Sequence, residues 1–270
     1  MNNTFFDSHC HFDFAVFDHD RAQVWQQACA LGLQGLLVPG VTFSQWSQAQ
    51  LLCGQISGCF YSVGLHPWWF ERWLNHMPIV RTDWESLFIT QMANFVSDAH
   101  CKAIGETGLD ACMAEPNNTP MATQQAIVLA HLKAANYYRL PVILHCRKAH
   151  NELLACLDKV RPIAGGVLHG FTGSAQLAQN YWHRGLRIGV GGSITYARAN
   201  KTRNAIKALP NQALILETDA PDMPLCGKQG QRNSPEHIPR VAQALADLRS
   251  QALVDVADYT FANTRALFDF

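Results

Sequence analysis

Eight short apolar runs, each followed by an amphipathic stretch, constrain this chain more than any other feature of it. The runs are Thr4–His11, Gln34–Val41, Cys59–His66, Lys102–Leu109, Pro141–Cys146, Gly166–Phe171, Leu186–Gly192 and Ala213–Asp219. Helix-like segments lie between them, at Asp20–Leu31, Ser44–Ile56, Trp84–Ala99, Met121–Tyr138, Ala149–Val160, Ser174–His183 and Lys201–Leu209. Two more follow the last run, at Pro235–Arg249 and Val254–Leu267. Strands alternating with helices predict an α/β fold with a parallel sheet, and a count of eight predicts closure into a (β/α)8 barrel, the TIM barrel. The 270 residues suit that fold, which takes roughly 250, and one domain is expected over 1–270. A doubly wound open sheet is the rival. It would carry a Gly-rich first turn, and Asp7-Ser8-His9-Cys10-His11 is not one.

Only 16% of the residues are charged and 48% are apolar, as expected of a chain buried in a sheet wrapped by helices. Basic and acidic residues balance at 21 each. That excludes a strongly basic nucleic-acid glue but not a local phosphate site, because metal ions add positive charge that no side-chain count records. No apolar run reaches the length of about 18 residues that a membrane span needs. The first residues carry no export signal. Nine scattered cysteines without a Cys-x-x-Cys pair read as reduced thiols, so a cytoplasmic location is expected, with no obligate protein partner.

The runs stay apolar until their last residues. There His9 and His11, His66, Glu106, His145, His169, and then Glu217 and Asp219 appear in order. In a barrel those carboxyl ends share one face, the face that builds active sites. His9 and His11 are two apart and point the same way, while Cys10 points toward the helices. Burying carboxylates and imidazoles together costs several kcal/mol per ionised group, by order of magnitude, unless a cation offsets it. His9, His11 and Asp219 with a shared Glu106 would hold one ion. His145, His169 and the other oxygen of Glu106 would hold a second. A bridging carboxylate places two metals roughly 3.5–4 Å apart, the spacing of two-metal hydrolysis. Imidazole must be neutral to bind, so affinity is expected to fall below about pH 6.5.

Other features have two readings each. His66 either touches substrate or braces its loop. Arg147 either clamps a phosphate bidentately or is simply solvated. Glu217 is read as orienting a ligand or the catalytic water. Pro67-Trp68-Trp69-Phe70 with Trp73 either stacks nucleobases or packs on itself. Gly189-Val190-Gly191-Gly192-Ser193 either offers amides to a phosphate or makes a tight strand exit. Cys10 and Cys146 are read as core fillers. Residues 222–234 read as a loop over the site, whose Lys228 and Arg232 either meet a polyanion or are solvated.

Six blocks resemble the signature of TatD-family metal-dependent hydrolases, also called TatD-like deoxyribonucleases. They are Asp7-Ser8-His9-Cys10-His11-Phe12-Asp13, Gly64-Leu65-His66-Pro67, Ile104-Gly105-Glu106-Thr107-Gly108-Leu109-Asp110, Pro141-Val142-Ile143-Leu144-His145-Cys146-Arg147, His169-Gly170-Phe171-Thr172-Gly173 and Leu216-Glu217-Thr218-Asp219-Ala220-Pro221. The run from Ile188 to Tyr196, with Asp219-Ala220-Pro221-Asp222-Met223-Pro224-Leu225, resembles the YjjV-like branch. The blocks follow one another over essentially the whole chain.

The resemblance implies an amidohydrolase-type barrel with two divalent ions. His9, His11 and Asp219 match the ligands of one, His145 and His169 those of the other, and Glu106 the bridging carboxylate. His66 and Glu217 match positions beside substrate and catalytic water. The implied activity is 3′–5′ exonucleolytic hydrolysis of DNA phosphodiesters, with Asp219 the first candidate for the base and Glu217 the reserve. The family's nucleases use Mg2+, whereas four imidazoles suit Zn2+, Mn2+, Co2+ or Ni2+ better. One departure is Lys148-Ala149, where the family commonly has an acidic residue before the alanine. It bears on the setting of Arg147, not on the metal set.

Alternatives on the same site are hydrolysis of a small ester, lactone or amide, or deamination of a ring. A ring of Lys228, Arg232, Arg147, Arg198 and Lys201 around the mouth would favour phosphate. A binding scaffold without catalysis would have lost ligands, and none is missing.

Overall fold

A computed structural model describes residues 3–70, 83–113 and 119–270. Trp73 lies outside the described residues. One eight-stranded sheet runs in sequence order with every neighbouring pair parallel. The strands are β1 (Phe5–Asp7), β2 (Leu33–Val38), β3 (Cys59–Val63), β4 (Cys101–Asp110), β5 (Val142–Arg147), β6 (Gly166–Leu168), β7 (Leu186–Val190) and β8 (Leu214–Leu216). The described helices are α1 (Arg21–Ala30), α2 (Phe43–Gln55), α3 (Trp84–Val96), α4 (Met121–Tyr138), α5 (His150–Lys159), α6 (Ala175–Trp182), α7 (Asn200–Ala208), α8 (Ile238–Arg249) and α9 (Leu253–Phe268). This is the expected (β/α)8 barrel.

Backbone bonds across the β1 and β8 ends close it. Ser8 N donates to Leu216 O at 2.9 Å, Asp219 N to His9 O at 2.9 Å, and His11 N to Ala220 O at 2.7 Å. The buried Asp7 carboxylate reinforces the seam, accepting from Thr218 N at 2.9 Å and Thr218 Oγ1 at 2.6 Å. β1 and β8 are shorter than the apolar runs suggest, because the residues beyond Asp7 and Leu216 leave the regular ladder to turn polar groups inward.

Two apolar layers result. The larger lies between sheet and helices and includes Cys10, with Cys146 packed against it. The smaller fills the barrel with Phe6, Leu37, Ala103, Ile143, Val167 and Ile215, one from each of six strands. Leu267 and Phe268 at the end of α9 join this layer, and the Phe270 ring stacks on Phe6 at 4.3 Å. The amino ends of the strands are thereby plugged with hydrocarbon, leaving polar chemistry to the carboxyl ends. α2 starts where Thr42 caps Gln45 N, and α6 where Ser174 caps Leu177 N, both at 3.3 Å. These side chains satisfy amides that have no partner within the helix.

α4 reaches the rim through a buried histidine. His131 Nδ1 lies 2.8 Å from Ile127 O, and its Nε2 accepts from Leu65 N at 3.0 Å. A backbone amide can only donate, so Nε2 is unprotonated and the ring is neutral. Burial holds its pKa down at about 4, against an ordinary 6.5. The unfolded chain therefore takes up a proton that the native ring refuses. Stability from this site is complete above about pH 6.5 and drains away as the pH falls toward 4, by about 3 kcal/mol. Urea titrations of wild type and His131→Leu across pH 7 to 4 should show the wild-type advantage shrinking by about that amount; a constant difference would contradict this account.

Candidate metal centre

The carboxyl ends of the strands gather their polar residues around Glu106, which is 1% exposed. The β4–β5 register shifts between Ile104 and Thr107, and this irregularity accompanies the turn of Glu106 into the barrel. Gly105 has φ 132°, and a Cβ there would sit 2.5 Å from Ile143 O, so only glycine fits. Ser62 Oγ donates to Gly105 O at 2.6 Å, and Glu106 N donates to Gly40 O at 2.7 Å, fixing the segment against β2 and β3.

The two carboxylate oxygens face different partners. Oε2 lies 3.1 Å from His9 Nε2 and 3.7 Å from His11 Nε2. Asp219 Oδ1 completes that group at 3.5 Å from His9 Nε2 and 3.6 Å from His11 Nε2. Oε1 lies 2.7 Å from His169 Nε2, 3.3 Å from His145 Nδ1 and 3.3 Å from His66 Nε2. The six residues expected to bind metal are thus brought together around one carboxylate; donor atoms of His9, His169 and Asp219 also converge, as do those of His66, Glu106 and His145, and the His9 and His169 rings stack at 3.9 Å.

The donor set fits divalent cations. His9 Nε2 and Glu106 Oε2 are buried with no hydrogen-bond partner of acceptable geometry. Burial, with neighbouring imidazoles, lowers His9 to about 3 and His11 to about 4, so both rings are neutral at pH 7 and free to donate lone pairs. Burial works to raise Glu106, but His169, His66 and His9 outweigh it and hold the carboxylate well below its usual range. His169 goes the other way: burial lowers it, yet Glu106 lifts it to about 10. Burial raises Asp219 to about 7.

His66 differs from the rest. Its Nδ1 accepts from Trp68 N at 3.2 Å, which puts the proton of the neutral ring on Nε2. Nε2 is then a donor aimed into the centre, suited to an oxygen and not to a metal. The rings of Trp68 and Trp69 flank it at 5.4 and 5.2 Å.

Glu217 Oε1 accepts from Gly170 N at 2.6 Å, while Oε2 is buried without a partner. Burial raises its pKa to about 8 despite that amide. Its room comes from glycines in and just after β7, since a Cβ at Gly189 would fall on Glu217 Oε2 and one at Gly191 would lie 3.3 Å from Glu217 Cγ. The glycine run therefore makes space for a carboxyl group.

Asp110 went unassigned at the sequence level. Its Oδ2 accepts from Trp68 Nε1 at 2.9 Å, and lies 3.8 Å from His145 Nε2 and 3.9 Å from Arg147 Nη1. Burial opposes ionisation, but the contacts from His145, Trp68 and the Cys112 amide hold it down at about 2. Its place four residues past Glu106, at the end of the same strand, was the available signal. Arg147 is exposed at the rim. Arg232 is diverted from it: its guanidinium binds both Asp20 oxygens, with Nη1 to Oδ1 at 2.9 Å, and stacks on Phe17. The loop it sits on is tied down by Asn233, whose Nδ2 donates to Thr218 O at 2.8 Å and Asp222 O at 2.9 Å.

Residues 6–269 match the family model described as TatD related DNase. The metal-dependent hydrolase YjjV of Escherichia coli K12, itself uncharacterized, is 39% identical over 265 residues, 98% of each chain. The crystal structure of the Escherichia coli K12 TatD homolog YjjV superposes with a TM-score of 0.89 at 38% identity, covering 100% of both chains. The 3′-5′ ssDNA/RNA exonuclease TatD of Klebsiella pneumoniae is 33% identical over 269 residues, 97% of each chain.

The glycine cradle is testable without an activity assay. Gly189→Ala should lower unfolding stability by about 1–3 kcal/mol through overpacking. In a Glu217→Ala background the same substitution should cost less than half as much, because the colliding group is gone. Equal costs in urea melts of the two backgrounds would mean that Gly189 serves something other than Glu217.

Proposed function

This chain belongs to the TatD related DNase family and is a metal-dependent hydrolase; from that premise we propose that it removes nucleotides from the 3′ end of single-stranded DNA, using two divalent cations. The observation that carries the reading is Glu106, whose Oε2 faces His9 and whose Oε1 faces His169, as a shared carboxylate would. His9, His11 and Asp219 are the ligands proposed for one cation, and His145 and His169 for the other. The relative described as an exonuclease supports the substrate class.

Cations held there would supply Lewis acidity toward a phosphate oxygen and an activated water. The chain supplies the rest. His66 Nε2–H is positioned to donate to an oxygen of the scissile phosphate. Asp219 is the first candidate for the group that takes the proton of the attacking water; burial raises it to about 7 without a cation, and a cation beside it would favour the ionised form that can accept a proton. Glu217, lifted to about 8, holds its own proton at neutral pH before any cation enters, which leaves it second choice as base. Asp110 fixes the far side of the His145 ring and keeps Arg147 near the mouth. Arg147 at the end of β5, Lys148 just after it, Arg198 on the loop after β7 and Lys201 in the first turn of α7 are exposed, a cationic side on which a phosphate backbone can lie.

A 5′-labelled single-stranded oligonucleotide with Mg2+, then with Mn2+, should give a ladder of products shortened from the 3′ end. Chelation with EDTA should abolish it, and Asp219→Ala should reduce the rate by at least roughly 100-fold. Cleavage no faster than that variant's would sink the nuclease reading. Turnover of a small ester, lactone or amide panel in the same preparation would then move the site to that substrate class.

A further inference from the structure

Beside the His11 and Asp219 half of the centre runs a groove of about 670 Å³, lined in part by Phe14, Val41, Gln48, Trp69, Asp13 and Asp222. We infer that this groove is the subsite for the terminal nucleobase of the substrate strand, stacked against Trp69. The inference rests on the nuclease reading above, to which it adds what the enzyme grips besides phosphate.

Three observations point to an uncharged, flat occupant. The first is charge. Asp13 and Asp222 line the groove, and the one lining cation among the described residues, Arg232, is neutralised by Asp20. A phosphate is repelled there, while the exposed Arg147, Lys148, Arg198 and Lys201 lie between the end of β5 and α5 and between β7 and the first turn of α7. The mouth is therefore polarised: backbone on one side, something neutral on the other. The second is shape. The volume is within the range of roughly 300–1,000 Å³ typical of small-molecule sites.

The third is the aromatic arrangement. Trp69 is partly exposed and lines the groove, with its ring 5.2 Å from His66. Phe14 lines it from the segment between β1 and α1 and stacks on His11 at 4.6 Å. Trp68, on the other flank of His66, is held by Asp110 through its indole nitrogen and does not line the groove. Trp69 therefore offers an aromatic surface within one ring's reach of the group proposed to touch the phosphate. Gln48 and Thr42 give polar edges, and the acidic groups accept from exocyclic amines. Binding through a π-face tolerates every base, as expected of an exonuclease that must proceed through any sequence.

The test compares two oligonucleotides that differ only at the 3′ end, one with an intact terminal nucleotide and one with a terminal abasic deoxyribose. Wild type should prefer the intact end by roughly tenfold in kcat/KM, mainly through KM. Trp69→Ala should erase the preference and Trp69→Phe should keep most of it. Gln48→Trp, an exposed change on α2 that fills the groove without touching the core, should also erase it. An equal loss on both substrates in Trp69→Ala, or no preference in wild type, overturns the subsite while leaving the nuclease reading intact. Should wild type cleave neither strand, the nuclease reading falls, and the groove is judged by titrating deoxyadenosine 5′-monophosphate. Saturable quenching of tryptophan fluorescence that is lost in Trp69→Ala supports it; identical responses of the two proteins overturn it.

Discussion

One carboxylate organises the carboxyl face of this barrel. Glu106 is nearly sealed from water and ionised, with three imidazole nitrogens within 3.3 Å of one oxygen and two within 3.7 Å of the other. Such a group is costly to bury alone, by several kcal/mol or more. Without a cation it is balanced by a protonated His169. Yet one proton cannot satisfy both oxygens, and Oε2 stays without a hydrogen-bond partner. Neutral His9 and His11 facing that same oxygen add lone pairs and no charge. Lone pairs converging from four side chains form an arrangement that a cation relieves and that water in so small a space does not.

The rest of the fold serves to hold that carboxylate and its partners in register. β1 and β8 carry the first pair of histidines and Asp219, and they meet at the seam where a barrel is most easily loosened. Asp7 stitches that seam through Thr218, so the residue that closes the sheet also sets the spacing from His9 to Asp219. On the opposite side, His131 ties the α4 layer to the amide of Leu65, next to His66. Backbone groups that a strand end leaves unpaired are thus used to lock polar side chains from the helix layer, and rigidity at the rim follows from hydrogen bonds that cannot be exchanged for water.

Much of this was legible in the sequence, for a physical reason. A parallel barrel buries its strands on both faces, so a histidine or carboxylate in an apolar run stands out, and strand direction places all such ends together. His9, His11, Glu106, His145, His169 and Asp219 needed nothing further. What stayed hidden depends on where alternation fails. Phe6 packs inside the barrel and His9, three residues on, also faces inward, which a period of two forbids. The break between them is a backbone irregularity that no side-chain pattern records. The purpose of Gly189 was hidden likewise, since an empty Cβ position says only that something lies near, and that something is Glu217, 28 residues away. Arg232 was open to two readings, a polyanion contact or solvation, and neither contains its pairing with both oxygens of Asp20, 212 residues earlier.

The diversion of Arg232 bears on how a balanced chain handles a polyanion. With 21 charges of each sign, attraction for a nucleic acid must come from arrangement. Pairing Arg232 with Asp20 removes a cation from the β1 and β8 side of the mouth, where Asp13 and Asp222 remain. Among the described residues, Arg147, Lys148, Arg198 and Lys201 stay exposed on the β5 and β7 side, and the Glu106 cluster lies between. On the proposed nuclease reading, a strand attracted electrostatically would be drawn over one half of the rim only, leaving the other half to bind by contact with aromatic faces. An even ring of cations would have strengthened capture but held a strand equally well in either direction. An uneven one gives up some affinity and gains a sense of direction, which the proposed activity from one end of a strand would require.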